Sequence, residues 1–245
     1  MGAALKAETS RETAGGVAAS PVAELGRSLA DQAFHKLKTS ILQNEYPPGF
    51  QATEPEIASR LNMSRTPMRE AMMRLQSEGL IEVTPRRGFR VLPLFADDLR
   101  EIYEVLISLE PTAAELFARR KLPPDAEVFV ELEKTNERMA EALERDDLDT
   151  WAAMDGRFHS LIIENCGNSR IARVTWNVWD QSHRARLVTA KLRPRPTHSF
   201  KEHRAVLEAI QRGDERAAHE VHRAHRHRGM TVILETIEKH GLGHL

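Results

Sequence analysis

The sequence predicts a mainly α-helical protein in two parts: a small unit of three helices and a hairpin over residues 28–93, then an all-α antiparallel bundle of about six helices over residues 97–240. Three observations support this. The chain has 245 residues, 41% of them hydrophobic, which is enough for two cores. Strand-like patterns occur only near residues 80–92. Elsewhere after residue 28, apolar residues recur at helical spacing.

The first unit begins with a helical pattern from Ser28, which "NEYPPGF" ends. A short helix follows in "EPEIASRLN", and Asn62 occupies the turn after it. The third helix, in "MSRTPMREAMMRLQSEG", can be capped by Ser64 or Thr66 and ends at Gly79. Next, "LIEVTPRRGFRVLP" predicts two short strands joined by a tight Arg-rich turn.

The second unit follows Pro93, where the strand signals end. About six helical patterns then run toward the C-terminus, separated by the breakers "LPPD", "CGN", "RPRP" and "RGD". The stretch over residues 97–150 is acidic, which is typical of a solvated helical face and disfavours contact with DNA.

Composition excludes several classes of protein. A formal net charge of −1 means that any nucleic-acid surface must be local. The single cysteine, Cys166, excludes an intramolecular disulfide framework and is expected to be a packing residue. No apolar run approaches the roughly 20 residues that cross a bilayer. Residues 1–27 lack the apolar core of a secretory signal, so we expect a flexible tail on a cytoplasmic protein.

The second and third helices have the spacing of a helix-turn-helix, and the hairpin after them completes a winged helix-turn-helix. Arg65, Thr66 and Arg69 lie on the first turns of the third helix, opposite its apolar stripe, where an arginine can bind guanine or phosphate. Arg86 and Arg87 at the hairpin tip could reach an adjacent backbone or minor groove. The alternative is that these arginines form an ordinary solvated face.

This half of the chain resembles the GntR family of bacterial transcription regulators. The resemblance rests on "PPGF", on "IASRLNMSRTPMREAMMRLQSEGLI" and on "TPRRGFRV" in the wing. It implies that Arg65, Thr66, Arg69 and Gly88 contact a palindromic operator in double-stranded DNA.

Four polar residues of the second unit occupy positions where helical periodicity predicts core. Asp155 and His159 stand one turn apart on the helix of "DLDTWAAMDGRFHSLIIEN". His203 and His225 interrupt the apolar stripes of the last two helices. A divalent cation can compensate for burying a carboxylate with three imidazoles, so we predict a metal site at these four residues. The other histidines of the last helix are expected at the surface: His219, His222 and His227.

This region resembles the FCD effector domain of the FadR branch of the GntR family, through "DGRFHSLI", "CGN" and "EHRAVLEAIQRGDERAAHEVHRAH". The family's metal ligands fall on Asp155, His159, His203 and His225, and the metal anchors a small carboxylate effector. Many members carry an arginine where this chain has Leu106. Carboxylate recognition would then depend on the metal and on Arg184 or Arg186.

We therefore expect a metabolite-responsive transcription regulator that acts as a homodimer and a repressor, with zinc, nickel or manganese all compatible with the mixed ligands. Two alternatives remain open at this point. One is a metal-dependent hydrolase, against which stands the lack of a clearly placed general base. The other is a DNA-binding protein with a purely structural metal.

Overall fold

The computed structural model describes residues 28–243, and the predicted flexible tail at 1–27 lies outside this range. The N-terminal half contains three helices and three strands. In chain order they are α1 (Leu29–Leu42), β1 (Gln51–Ala52), α2 (Glu54–Arg60), α3 (Arg65–Ser77), β2 (Ile81–Thr84) and β3 (Gly88–Val91). Their apolar faces form one core, and its largest side chains include Leu37, Ile41, Met68, Leu75 and Phe89.

Local chemistry explains where these helices begin. The Ser28 hydroxyl accepts a hydrogen bond from the Asp31 amide and caps α1. Thr53 and Glu56 form a capping box at α2, in which the Glu56 carboxylate accepts from the Thr53 amide at 2.7 Å. Ser64 is the N-cap residue of α3.

The small sheet has the order β1-β3-β2, with both pairs antiparallel. The hairpin of β2 and β3 agrees with the sequence prediction. Strand β1 was not predicted, because two residues are too few to show an alternating pattern. It pairs Gln51 with Arg90 and Ala52 with Phe89, which ties the segment before α2 to the wing.

The C-terminal half consists, within the described residues, of six helices: α4 (Ala96–Arg119), α5 (Glu127–Glu144), α6 (Leu148–Asn165), α7 (Ser169–Thr189), α8 (Ser199–Gln211) and α9 (Glu215–Lys239). Asp147, Asn168 and Asp214 cap the starts of α6, α7 and α9 with their side chains. Cys166 is buried at the end of α6. The predicted fold class, a winged helix-turn-helix followed by an all-helical bundle, is confirmed.

Helix α7 joins the two halves through polar contacts. Lys38 of α1 forms ion pairs with Glu78, at 2.9 Å, and with Asp180 of α7. The Gln181 side-chain amide donates to the Glu78 carbonyl at 2.9 Å, at the end of α3. Arg184 donates to the Leu92 carbonyl at 2.9 Å, just after the wing. The end of α3 and the segment after β3 are thus both fastened to one helix of the bundle.

Across residues 28–243, each helix is either too short or too polar to cross a membrane.

Candidate metal centre and nucleic-acid interface

The exposed start of α3 is the candidate surface for DNA. Asn62 adopts a left-handed backbone, with φ of 56°, which lets the chain turn sharply between α2 and α3. Pro67 and Met68 are buried beneath the first turn of α3. Arg65, Thr66 and Arg69 point away from that core, and the Arg69 side chain is 77% exposed. Unpaired amide donors at a helix start also favour phosphate.

The wing tip presents Arg86 and Arg87 to solvent, and Arg86 has a φ of 64° in the turn between β2 and β3. Gly88 has a φ of 90°, and a Cβ there would lie 2.0 Å from the Ala52 carbonyl oxygen. Only glycine allows β1 to approach the wing this closely. The structure therefore gives Gly88 a steric role, which is separate from the DNA contact that the family resemblance implies.

Three helices of the bundle bring Asp155, His159, His203 and His225 together. All four are buried, and each offers one ligand atom within 4.8 Å of the others. The Nε2 atom of His225 lies 3.2 Å from Nε2 of His203 and 3.2 Å from Nε2 of His159. The Asp155 Oδ1 atom lies 3.6 Å from His203 Nε2 and 4.0 Å from His159 Nε2.

These separations fit a divalent cation. Four ligand atoms placed tetrahedrally at 2.0–2.1 Å from a metal are about 3.4 Å from one another. A shared cation explains why three imidazole nitrogens and a carboxylate oxygen face one another in a buried space. The donor set of nitrogen and oxygen suits zinc, nickel or manganese.

The protonation states also suit a cation. Burial alone would raise the pKa of Asp155, but the surrounding positive charges, chiefly that of Arg186, outweigh it and hold the pKa at about 2. Burial lowers the pKa of His159 and His203 well below the ordinary histidine value. Burial also lowers the pKa of His225, although its bond to Glu202 opposes the shift. At neutral pH the site is a carboxylate with three neutral imidazoles, which is the form that binds metal.

Glu202 orients one of these imidazoles. Its Oε2 atom lies 2.6 Å from Nδ1 of His225, which leaves Nε2 free to face the other ligands. Arg228 binds the same carboxylate, with one contact at 2.6 Å. Burial would raise the pKa of Glu202, but its bonds to His225 and Arg228 hold that pKa at about 2. The carboxylate therefore remains ionised and accepts a hydrogen bond from the Nδ1–H of His225.

A second buried polar cluster lies directly behind His159, and sequence reasoning missed it. Glu110 of α4 is fully buried and forms a two-point ion pair with Arg226 of α9, with one contact at 2.6 Å. Nδ1 of His159 lies 3.4 Å from Glu110 and 3.3 Å from Nε2 of His222. Glu110, His159 and His222 also have ligand atoms close enough to share an ion.

The prediction of a surface position for His222 is therefore wrong. His222 is fully buried, because it lies four residues after Ala218 and three before His225 on the inward stripe of α9. Glu110 follows the same rule on α4, where it continues the spacing of Tyr103 and Leu106. Their helical phase could have identified both residues. By contrast, His219 is partly exposed and lies 3.2 Å from Glu115, and His227 is exposed.

The two arginines considered for effector binding differ in position. Arg186 lies beside the cluster, with Nη1 at 3.1 Å from Asp155 Oδ2, and it lines a cavity there. Arg184 is not among the residues that line this cavity, and its bond to the Leu92 carbonyl assigns it to the contact between the two halves. Its interpretation as an effector ligand is contradicted by this placement. Leu106 is fully buried in apolar packing, so that position offers no anchor for an acid.

Known proteins match both halves of the chain. The family described as "Bacterial regulatory proteins, gntR family" matches residues 29–91, and the FCD domain matches residues 101–228. An uncharacterized HTH-type transcriptional regulator in the TAR-I ttuE-ttuC' intergenic region of Agrobacterium vitis is 46% identical over 147 residues, 60% of this chain and 85% of that protein. The HTH-type transcriptional repressor RspR of Escherichia coli (strain K12) is 25% identical over 183 residues, 75% of this chain and 79% of that protein.

The solved structure of E. coli McbR/YncC has a TM-score of 0.73 at 20% identity and covers 85% of this chain and 98% of that one, which supports the fold. The fold and the matches define a DNA-binding transcription regulator with an effector domain, not an enzyme. The chain belongs to the GntR family of bacterial regulators and carries an FCD domain.

Proposed function

We propose that this protein is a cytoplasmic repressor of the FadR subfamily, which binds a palindromic operator as a homodimer and responds to a small organic acid anchored by a divalent metal. The observation that carries the proposal is the buried group of Asp155, His159, His203 and His225, which borders a cavity in the same domain. The repressor named among its relatives supports the direction of regulation.

Each part of the site would have a distinct task. A divalent ion held by the four residues would supply positive charge and open coordination positions for a carboxylate oxygen. Arg186, bound to the outer oxygen of Asp155, orients that ligand and adds a cation at the cavity wall. The border with a cavity favours a sensing role over a purely structural metal, whose coordination shell would be closed.

DNA would be bound by Arg65, Thr66 and Arg69 in the major groove and by Arg86 and Arg87 through the wing. Helix α7 would connect effector binding with DNA binding. Its Gln181 side chain contacts Glu78, and its Arg184 side chain contacts Leu92. If the acid binds more tightly to one orientation of α7 than to another, its binding would change the affinity of the protein for the operator. Coupling of this kind is typically about 5- to 150-fold.

The DNA-binding part is tested by selecting binding sites from a random duplex library and measuring affinity for the selected duplex at several salt concentrations. We expect Arg69→Ala to lose about 10-fold or more in affinity and to relax the sequence preference. Arg100→Ala is the matched control, since Arg100 is an exposed arginine on the bundle. Equal affinities of the two variants would contradict the proposed DNA surface.

The metal part is tested by measuring bound metal after purification and dialysis against zinc. We expect His225→Ala to lose bound zinc, because it removes one of four ligands, while circular dichroism shows the helices retained. His219→Ala is the control, because His219 contacts Glu115 and lies outside the ligand group. An unchanged zinc content in His225→Ala would refute the site.

A further inference from the structure

A small cavity adjoins the candidate metal ligands, and its lining combines apolar residues with several arginines. Its volume is about 190 Å³, and Asp155 and His225 form part of its wall. This is below the roughly 300–1,000 Å³ of sites for drug-sized molecules, so it suits a short metabolite. The wall also carries five arginines: Arg186, Arg193, Arg195, Arg226 and Arg228.

Three of these arginines are already neutralised. Arg186 pairs with Asp155, Arg226 pairs with Glu110, and Arg228 pairs with Glu202. Arg193 and Arg195 come from the segment between α7 and α8, and neither has a carboxylate partner among residues 28–243. The cavity therefore has two unpaired positive charges before any metal is bound.

Arg193 is the unusual member of this pair. Its Nη2 donates to the Arg186 carbonyl at 2.9 Å, and its guanidinium lies 5.7 Å from the Trp151 ring centre. Its Nε is buried and has no hydrogen-bond partner in the described part of the chain. Burial lowers its pKa, and the nearby Asp155 carboxylate opposes this shift without reversing it. A half-buried guanidinium whose Nε has no hydrogen-bond partner is costly, and an anionic ligand would remove that cost.

Arg195 adds a second cation at the more exposed side of the cavity. Its guanidinium donates to the Leu143 carbonyl at the end of α5, which fixes it in place. Both arginines belong to "RPRP", in which Pro194 and Pro196 also line the cavity and restrict the backbone. A rigid segment that carries two fixed cations is preorganised for an anion.

We propose that the ligand of this site is a short dicarboxylate, with one carboxylate directed at the metal ligands and the second bound by Arg193, assisted by Arg195. This inference rests on the proposed function and specifies its ligand class. A monocarboxylate would satisfy the metal side and leave Arg193 unpaired. Arg193 thereby supplies the carboxylate anchor that Leu106 cannot provide.

The test compares acids of equal length with one or two carboxylates, by calorimetric titration of zinc-loaded protein at pH 7.5. The pairs are malonate with propionate, succinate with butyrate, and glutarate with pentanoate. In at least one pair we expect the diacid to bind about 10-fold or more tightly, since a hydrogen-bonded ion pair contributes that much. Arg193→Gln should remove this preference and leave monoacid affinity and zinc content unchanged.

Controls separate charge from shape and this inference from the proposed function. Arg193→Lys should retain part of the preference, and Arg212→Gln, an exposed arginine at the end of α8, should retain all of it. Metal-dependent binding of acids with no preference for diacids, or equal weakening of both acids by Arg193→Gln, would overturn the Arg193 assignment alone. No metal-dependent binding of any acid would overturn the proposed effector site as well.

The Trp151 ring provides a second readout. Because the Arg193 guanidinium lies over this buried ring, a diacid that binds Arg193 should change tryptophan fluorescence in the parent protein. The change should be lost in Arg193→Gln. A fluorescence response to succinate that persists in Arg193→Gln, with unchanged affinity, contradicts the proposed contact.

Discussion

The ion pair of Glu110 with Arg226 gives a sharp test of how the bundle is stabilised. Both side chains are almost completely buried, and two hydrogen bonds join them. Replacing Glu110 by leucine would leave the Arg226 guanidinium in the interior without a carboxylate. His159 and His222, whose rings lie near Glu110, cannot replace the carboxylate, because an imidazole is neutral or cationic and supplies no negative charge to Arg226.

The expected magnitude follows from this burial. Breaking a buried ion pair by removing one partner costs about 3–5 kcal/mol, whereas replacing both partners with apolar residues is often neutral or stabilising. We therefore expect Glu110→Leu and Arg226→Met each to lose about 3–5 kcal/mol of unfolding free energy. The double variant should lie within about 2 kcal/mol of the parent, so the two changes are strongly non-additive.

Urea unfolding of the metal-free chain, followed by tryptophan fluorescence, measures this directly. The three tryptophans, Trp151, Trp176 and Trp179, all lie in the bundle, so the signal reports that half. Glu215→Ala is the control, because it breaks an exposed ion pair with Arg119 that is worth at most about 1 kcal/mol. A cost below about 1 kcal/mol for Glu110→Leu, or additive effects in the double variant, would refute the reasoning.

Three further predictions concern the site and the wing. Histidines that burial keeps neutral have pKa values in the folded state below the unfolded value of about 6.5. The stability that they contribute is therefore complete above that pH and is lost as the pH falls. We expect the unfolding free energy of the metal-free bundle to fall below pH 6 by up to about 4 kcal/mol per pH unit. The residues responsible are His159, His203 and His222. A urea midpoint that stays constant from pH 7 to pH 5 would contradict this pH dependence.

Glu202→Gln should weaken zinc binding about 10- to 100-fold in a chelator competition, because it removes the carboxylate that orients His225, and an effect below threefold would refute that role. Gly88→Ala should displace β1 and accelerate hydrogen exchange in the wing, because its Cβ collides with Ala52. Gly49→Ala also occupies a left-handed position but has open space around it, so an equal effect there would assign the loss to backbone strain alone.

Periodicity was sufficient for most of the fold. Several helices begin at polar caps, such as Ser28, Asp147, Asn168 and Asp214, and apolar spacing marks the remaining ones, so the order of the helices could be predicted from the sequence. Strand β1 could not, because its two residues owe their extended shape to pairing with β3.

The candidate ligands show where the same method succeeds and fails. Asp155, His159, His203 and His225 were found because each interrupts an apolar stripe, and the structure brings their ligand atoms together. His222 was assigned to the surface because it lies at the border of the stripe on α9, although its spacing from Ala218 and His225 places it on the buried side.

The cavity arginines were harder to predict for a different reason. Arg193 and Arg195 lie in a segment without helical period, so no phase rule indicates where their side chains point. Their position depends on how the ends of α5 and α7 meet, which is a tertiary property. Arg184 was considered beside Arg186 for carboxylate recognition, whereas the two side chains leave α7 in different directions.

The placement of Gln181 and Arg186 on one rigid rod has a mechanical consequence. Five residues of helix span about 7.5 Å, so the guanidinium that touches Asp155 and the amide that holds the last turn of α3 move as one body. A rotation of α7 by a few degrees would be passed directly to α3 through the contact between Gln181 and Glu78. Signal transfer in this architecture would then proceed by rigid-body rotation of α7 and not by hinge bending of the segment that links the two halves.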